Sequence, residues 1–227
     1  MTRRFCLFAA MAAAAFCAFG GEMNTTCKAY SYVEQKSGAW FNSGVNLTTD
    51  SSKVELAFQD ALLGTGGNDK KLLGNGDKFC IATYSSKWRF GVQGAWLNPA
   101  TPAKDGSRVD VTVAGTKWTV QVNGVATEMD HSKNLAQNVG PLYIFGNSGS
   151  AGAPAGFRFY FLKHYQKVGD VETLVNWVVP VVRREEVDDA GEKSVVETIG
   201  VADLITGTFT AVGNASAQVE FSAETGS

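Results

Sequence analysis

The chain has 227 residues, a formal net charge of −2 and no basic stripe, which argues against nucleic acid as a partner. Hydrophobic residues make up 44%, enough for a sizeable core in one domain or two small ones. Fourteen Phe, five Trp and six Tyr stand beside 25 glycines and only 5 prolines, a balance that favours strands joined by glycine turns.

The N-terminus reads MTRRFCLFAAMAAAAFCAFGGEM. Arg3 and Arg4 precede an apolar run from Phe5 to Phe19, which is short for a membrane span. Ala18 and Gly20 suit cleavage after Gly20, so residues 1–20 are expected to be a secretory signal peptide. Phe16 before Cys17 does not suit a lipoprotein signal. Without Arg3 and Arg4 the charge falls from −2 to −4. No later stretch has the length and hydropathy to cross a membrane as a helix. A secreted product is expected, extracellular, periplasmic or at the cell surface, with no membrane insertion after cleavage. Cys27 and Cys80 remain in an oxidising compartment, where they would form one disulfide or stay as two separate thiols.

Strand signals then follow almost without a break. KVELAFQ (53–59) alternates Val54, Leu56 and Phe58 with Lys53, Glu55 and Gln59. KFCIATY (78–84), WRFGVQ (88–93), RVDVTV (108–113) and WTVQV (118–122) continue the pattern. AGTK joins the last two as a tight hairpin, and Asn123-Gly124 predicts another. PLYIFGN (141–147), GFRFYFLKHYQK (156–167) and TLVNWVVPVVR (173–183) follow, with Pro180 expected at an edge or bulge. RREEVDDAGEKS (183–194) reads as a solvated loop. Helical periodicity is confined to short pieces at 58–64 and 130–138. So many short strands predict an all-β fold, a two-sheet antiparallel sandwich. Residues 30–222 are assigned to it, 21–29 to an N-terminal extension and 223–227 to a tail.

Three blocks carry a resemblance. YVEQKSGAWFNSGV (32–45) is similar to the opening of secreted bacterial domains of the concanavalin A-like, laminin G-like family, through Tyr32, Val33, Glu34, Gly38, Trp40, Phe41, Asn42, Gly44 and Val45. Arg158, Tyr160, Leu162, Lys163, Tyr165, Leu174, Val175, Val179, Pro180 and Arg183 resemble a later strand pair. VADLITGTFTAVGNAS resembles the closing turn through Asp203, Thr206, Gly207 and Phe209. The resemblance implies a jelly-roll sandwich of the lectin and glucanase type. It points to non-catalytic recognition of a glycan or a cell-surface protein, with a structural or decoration module of a surface or phage-like assembly as the alternative.

Catalytic constellations are sparse. Glu186, Asp188 and Glu192 miss the E-x-D-x-x-E spacing of sandwich glucanases by one, and Asp110 has no carboxylate partner on its own strand. A glycoside hydrolase is therefore disfavoured and the chain is expected not to be an enzyme. Only two histidines occur, His131 and His164, without zinc spacing. No cofactor is expected, although Asn68, Asp69, Asn75 and Asp77 offer oxygens that calcium would accept. Trp40, Trp118 and Trp177 are expected in the core. Trp96, in a loop-like segment with Asn98, is the candidate ligand platform, and Trp88 comes second. Specificity is expected in the loops 60–78, 94–107 and 130–140.

Overall fold

The computed structural model describes residues 25–59, 70–84, 87–98, 107–147, 149–153, 155–189, 192–214 and 216–222. In chain order the strands are β1 (Thr25–Ala29), β2 (Val33–Ser37), β3 (Phe41–Asn42), β4 (Ser51–Gln59), β5 (Lys70–Asn75), β6 (Phe79–Tyr84), β7 (Lys87–Val92), β8 (Ala95–Leu97), β9 (Arg108–Ala114) and β10 (Lys117–Val122). There follow β11 (Val125–Asp130), β12 (Tyr143–Ile144), β13 (Gly146–Asn147), β14 (Ser150–Ala151), β15 (Arg158–Val168), β16 (Val171–Asp189), β17 (Glu192–Asp203), β18 (Phe209–Ala211) and β19 (Gln218–Phe221). The described residues contain no helix.

Two antiparallel sheets make the sandwich. The larger, of 11 strands, runs β11-β10-β9-β4-β15-β16-β17-β18, with β1 beside β16 and β2 between β15 and β19. The smaller, of 6 strands, runs β3-β12-β5-β6-β7-β8. Period-two alternation decides which side chains fill the space between them. Val54, Leu56 and Phe58 of β4 point inward, as do Val109, Val111 and Val113 of β9 and Trp118 and Val120 of β10. Trp88 and Phe90 of β7 meet them from the smaller sheet. Phe58 and Trp88 pack edge-on at 4.9 Å, and Phe90 lies 5.0 Å from Trp118.

The opening stretch is an entry element. Val33, Phe41 and Val45 are fully buried. Gln35 closes the turn between them, donating to the Ala39 carbonyl at 3.1 Å and accepting from the Ala39 N–H at 3.2 Å. Trp40 departs from its expected core position and is only half-buried. Its indole leans on Tyr143 at 5.6 Å and lies so close over Gly213 that a Cβ there would sit 2.2 Å from the ring. Gly213 also donates its N–H to the Trp40 carbonyl at 2.8 Å, and Asn214 donates to the Gly38 carbonyl at 3.3 Å. The opening and closing blocks of the sequence therefore form a single knot.

Two further sequence expectations change, and one open alternative is decided. Residues 183–194 are no loop where they are described: β16 and β17 pair from Val178–Asp203 out to Asp189–Glu192 as a long ribbon. Beyond the reach of β1 both faces of this ribbon are solvated, so its charges carry no alternation. Pro180 lies inside β16, not at an edge. It falls after β15 stops pairing at Val178 and before β1 starts at Val181. Its carbonyl accepts from the Tyr30 N–H, so its nitrogen faces the same gap, where no strand needs a donor. Finally, no disulfide joins Cys27 and Cys80. Cys27 belongs to the larger sheet, whereas Cys80 pairs with Gly91 on the outward side of the smaller one. The two thiols thus belong to opposite layers of the sandwich, and both are buried.

Candidate functional site

The outer face of the larger sheet carries a groove of ≈ 730 Å³ lined by Glu55, Arg108, Asp110, Thr112, Gln121 and Phe161, with Leu56, Val111 and Gly124. Register explains how they meet. Gln121 of β10 pairs with Asp110 of β9, Asp110 with Ala57 of β4, and Ala57 with Phe161 of β15. This row crosses four strands, and Ala57 at its middle is small and fully buried although it faces outward. The next row is Thr119, Thr112, Glu55, Lys163 and Trp177.

Phe161 owes its place to a β-bulge. Phe159 pairs with Phe58 and Phe161 with Ala57, so Tyr160 is the extra residue. Without the bulge, Phe161 would share the inward side with Phe159. With it, Tyr160 and Phe161 both face outward. A second bulge between His164 and Tyr165 in the pairing with β16 leaves Trp177 opposite Lys163 and outward. Trp177 is thus half-exposed, contrary to the expected core position. Trp118 does sit in the core.

Cations hold these rings. Lys53 lies 4.0 Å from the Tyr165 centroid, Arg108 4.5 Å from Tyr160, Lys163 4.5 Å from Trp177 and Arg158 4.5 Å from Tyr32. Phe161 has the most distant cation of this set, Lys163 at 5.5 Å. The carboxylates are ion-paired. Arg108 reaches Asp110 at 3.0 Å, and Lys53 bridges Glu55 at 3.2 Å and Glu172 at 2.8 Å. Tyr165 donates its hydroxyl to Glu55 at 3.0 Å. Burial raises the Tyr165 phenol above its ordinary value, and that hydrogen bond adds to the rise. Glu172 is held below its ordinary value, first by the Lys53 contact.

Glu55 and Asp110 are the carboxylate pair that reading along single strands misses, because they lie diagonally on β4 and β9. Glycoside hydrolysis needs one of two carboxyls as a proton donor. Here both accept salt-bridge contacts, Glu55 from Lys53 and Asp110 from Arg108.

Beneath this face lies a second polar cluster. His164 is fully buried, with Ser51 Oγ 2.8 Å from Nε2 and Asn176 Oδ1 3.0 Å from Nδ1. Asn176 donates onward to Asp203 at 2.7 Å. Serine, histidine and an amide in this order imitate a hydrolase triad, but Ser51 is 3% exposed and its Oγ accepts the Thr48 N–H at 2.8 Å. No substrate could reach it, so the chain is structural. Burial lowers the His164 imidazole below its ordinary value. Burial pushes Asp203 the other way, yet hydrogen bonds from Asn176, the Trp177 and Ile205 N–H groups and Thr206 hold it below the ordinary carboxylate. Asp203 thereby pins the 203–208 turn of the closing block to β16.

The sequence-derived site is not one cluster. Trp88 is fully buried between the sheets and cannot be a platform. Trp96 lies on β8, a short strand and not a loop, on the outward side of the smaller sheet. Its ring covers Gly91, where a Cβ would come within 2.9 Å, and the Arg89 guanidinium is 4.0 Å from its centroid. Asn98 is exposed just beyond. Of the calcium candidates, Asn68 and Asp69 lie outside the described residues. Asn75 donates to the Pro141 carbonyl at 2.9 Å and Asp77 accepts from Lys71 at 3.2 Å. Among the described residues no group of three metal-ligating side chains occurs. No described helix is long and apolar enough to cross a membrane.

No family model matches the chain, and no curated protein matches it. Among solved structures it is similar to a Bacteroides ovatus protein described as a "putative carbohydrate binding protein", at a TM-score of 0.50 and 13% identity, over 85% of this chain and 60% of that one. It is also similar to the full extracellular region of zebrafish Gpr126/Adgrg6, at a TM-score of 0.48 and 11% identity, over 86% of this chain and 26% of that one. The chain therefore spans less than two thirds of either protein's length, 60% of the first and 26% of the second. At such identities the likeness shows the fold.

Proposed function

We propose that this chain is a secreted, non-catalytic binding module of the concanavalin A-like type that takes a glycan in the groove across β10, β9, β4 and β15. One observation carries the reading: a bulge turns Phe161 outward beside the Glu55, Asp110, Arg108, Thr112 and Gln121 side chains. An apolar ring face next to convergent donors and acceptors suits a sugar, with its C–H face on the ring and its hydroxyls toward the polar groups. The Bacteroides ovatus relative's description supports the same reading.

The test is affinity electrophoresis or calorimetry of residues 21–227 against a polysaccharide panel. Phe161→Ala should weaken binding on the order of tenfold, the usual weight of an aromatic contact. Trp96→Ala should leave it unchanged. If Trp96→Ala abolishes binding and Phe161→Ala does not, the groove is the wrong site.

A further inference from the structure

We propose that the groove selects neutral glycans and rejects those bearing uronate or sulfate, with Glu55 and Asp110 as the residues that set this preference. The inference rests on the glycan reading above and concerns only the ligand's charge.

Along β4 the outward order is Lys53, Glu55, Ala57, Gln59; along β9, running the other way, it is Ala114, Thr112, Asp110, Arg108. The antiparallel register therefore puts both carboxylates in the middle of the face and their cations at opposite ends. Each carboxylate is salted to a residue two positions away on its own strand, Glu55 to Lys53 and Asp110 to Arg108. That leaves the centre between them to the two acids. Among the described lining residues only Arg108 is positive, against two negative side chains. Two further cations do not line the groove: Lys53, held by Glu55 at 3.2 Å, and Lys163, which lies 4.5 Å from the Trp177 centroid and 5.5 Å from that of Phe161. The −4 charge after loss of Arg3 and Arg4 adds a long-range bias of the same sign. An anionic sugar resting on Phe161 would meet Glu55 and Asp110 as like charges, which works against it, whereas neutral hydroxyls can donate to both.

The probes are neutral polysaccharides (a glucan, a galactomannan, an unsubstituted xylan) and acidic ones (polygalacturonate, alginate, heparin), at low and high salt. The wild-type chain should bind at least one neutral polymer and no acidic one. The E55Q/D110N variant, which keeps the side-chain shapes, should gain affinity for an acidic polymer on the order of tenfold at low salt, with the gain shrinking at high salt. E55Q alone should move the same way by less. A wild-type chain that prefers an acidic polymer overturns the inference while leaving glycan binding intact. So does a folded variant without any gain. A chain that binds no polymer of either kind overturns the glycan reading itself.

Discussion

The two outer faces of the sandwich use the same ingredients to opposite ends. On the smaller sheet the outward row runs Tyr143, Gly74, Cys80, Gly91, Trp96. Three small residues stand together there, and the Trp96 ring covers Gly91. Its aromatic payload is used to close a surface. On the larger sheet a single small residue, Ala57, stands between Asp110 and Phe161. Its neighbours Asp110 and Phe161 line the groove there. An aromatic residue beside an arginine therefore does not mark a site. What separates the two cases is whether the ring covers a glycine or lines a groove.

The strongest way to break this contrast is to remove a tryptophan from between the layers. Trp88→Ala should destabilise by about 3–5 kcal/mol, the usual cost of a large aromatic-to-alanine cavity. Glycan affinity of the molecules that remain folded should not change. Thermal denaturation read beside binding decides this, and a selective loss of binding without loss of stability would return Trp88 to the site.

Acid should separate the layers next. The larger sheet holds the buried Ser51–His164–Asn176–Asp203 chain against its inner side. His164 titrates below its ordinary 6.5 in the folded chain, so the unfolded chain takes the proton first. Stability from this residue is intact above about pH 6.5 and declines as pH falls toward the lower folded value. Asp203 adds a second window: its contribution is present above its ordinary 3.8 and is lost as pH falls through its depressed folded value. Hydrogen exchange at pH 5 should show β4, β15 and β16 opening before β6 and β7. A His164→Gln variant should lack the first step. Equal protection of both sheets across that range would contradict the assignment.

Phe161→Ala is the milder counterpart on the open face. The ring is half-exposed, so its removal should cost under about 1 kcal/mol of stability, well below the Trp88 cavity. Its effect should fall on ligand affinity. A large drop in melting temperature would mean that Phe161 holds the sheet together, and that the groove is a packing defect.

The sequence made part of this contrast readable. Lys53, Glu55 and Gln59 against Val54, Leu56 and Phe58 named the two sides of β4 correctly, because a period of two is all that a sheet face requires. The same alternation says nothing about which strand lies beside which. Glu55 and Asp110 are far apart in the chain and adjacent in the sheet, so their pairing was invisible. Bulges hid the rest. Alternation continued through Tyr160 places Phe161 inside, and only the extra residue turns it out. Trp96 looked like loop because β8 has 3 residues after the Gln93-Gly94 turn, too few to show a period. Trp40 was expected in the core on motif grounds. Its real support is Gly213, from the other end of the chain.

The smallest expected effect is the most direct test of why the two faces differ. Trp96→Ala removes a half-buried ring from an edge strand, together with its contact to the Arg89 guanidinium. It uncovers Gly91 and leaves Arg89 its second aromatic neighbour, Tyr84 at 5.3 Å. The loss should be about 1 kcal/mol, since little fully buried area is involved and the cation contact is solvent-facing. The same variant opens a shallow trough over Gly91 with an arginine on its rim, which mimics the other face in shape alone. If shape beside an aromatic and an arginine were sufficient, the variant would acquire glycan binding there, detectable in a Phe161→Ala background where the first site is weakened. No such gain is expected, because the trough lacks the crossed carboxylates and the Thr112 and Gln121 groups that face a ligand on the larger sheet.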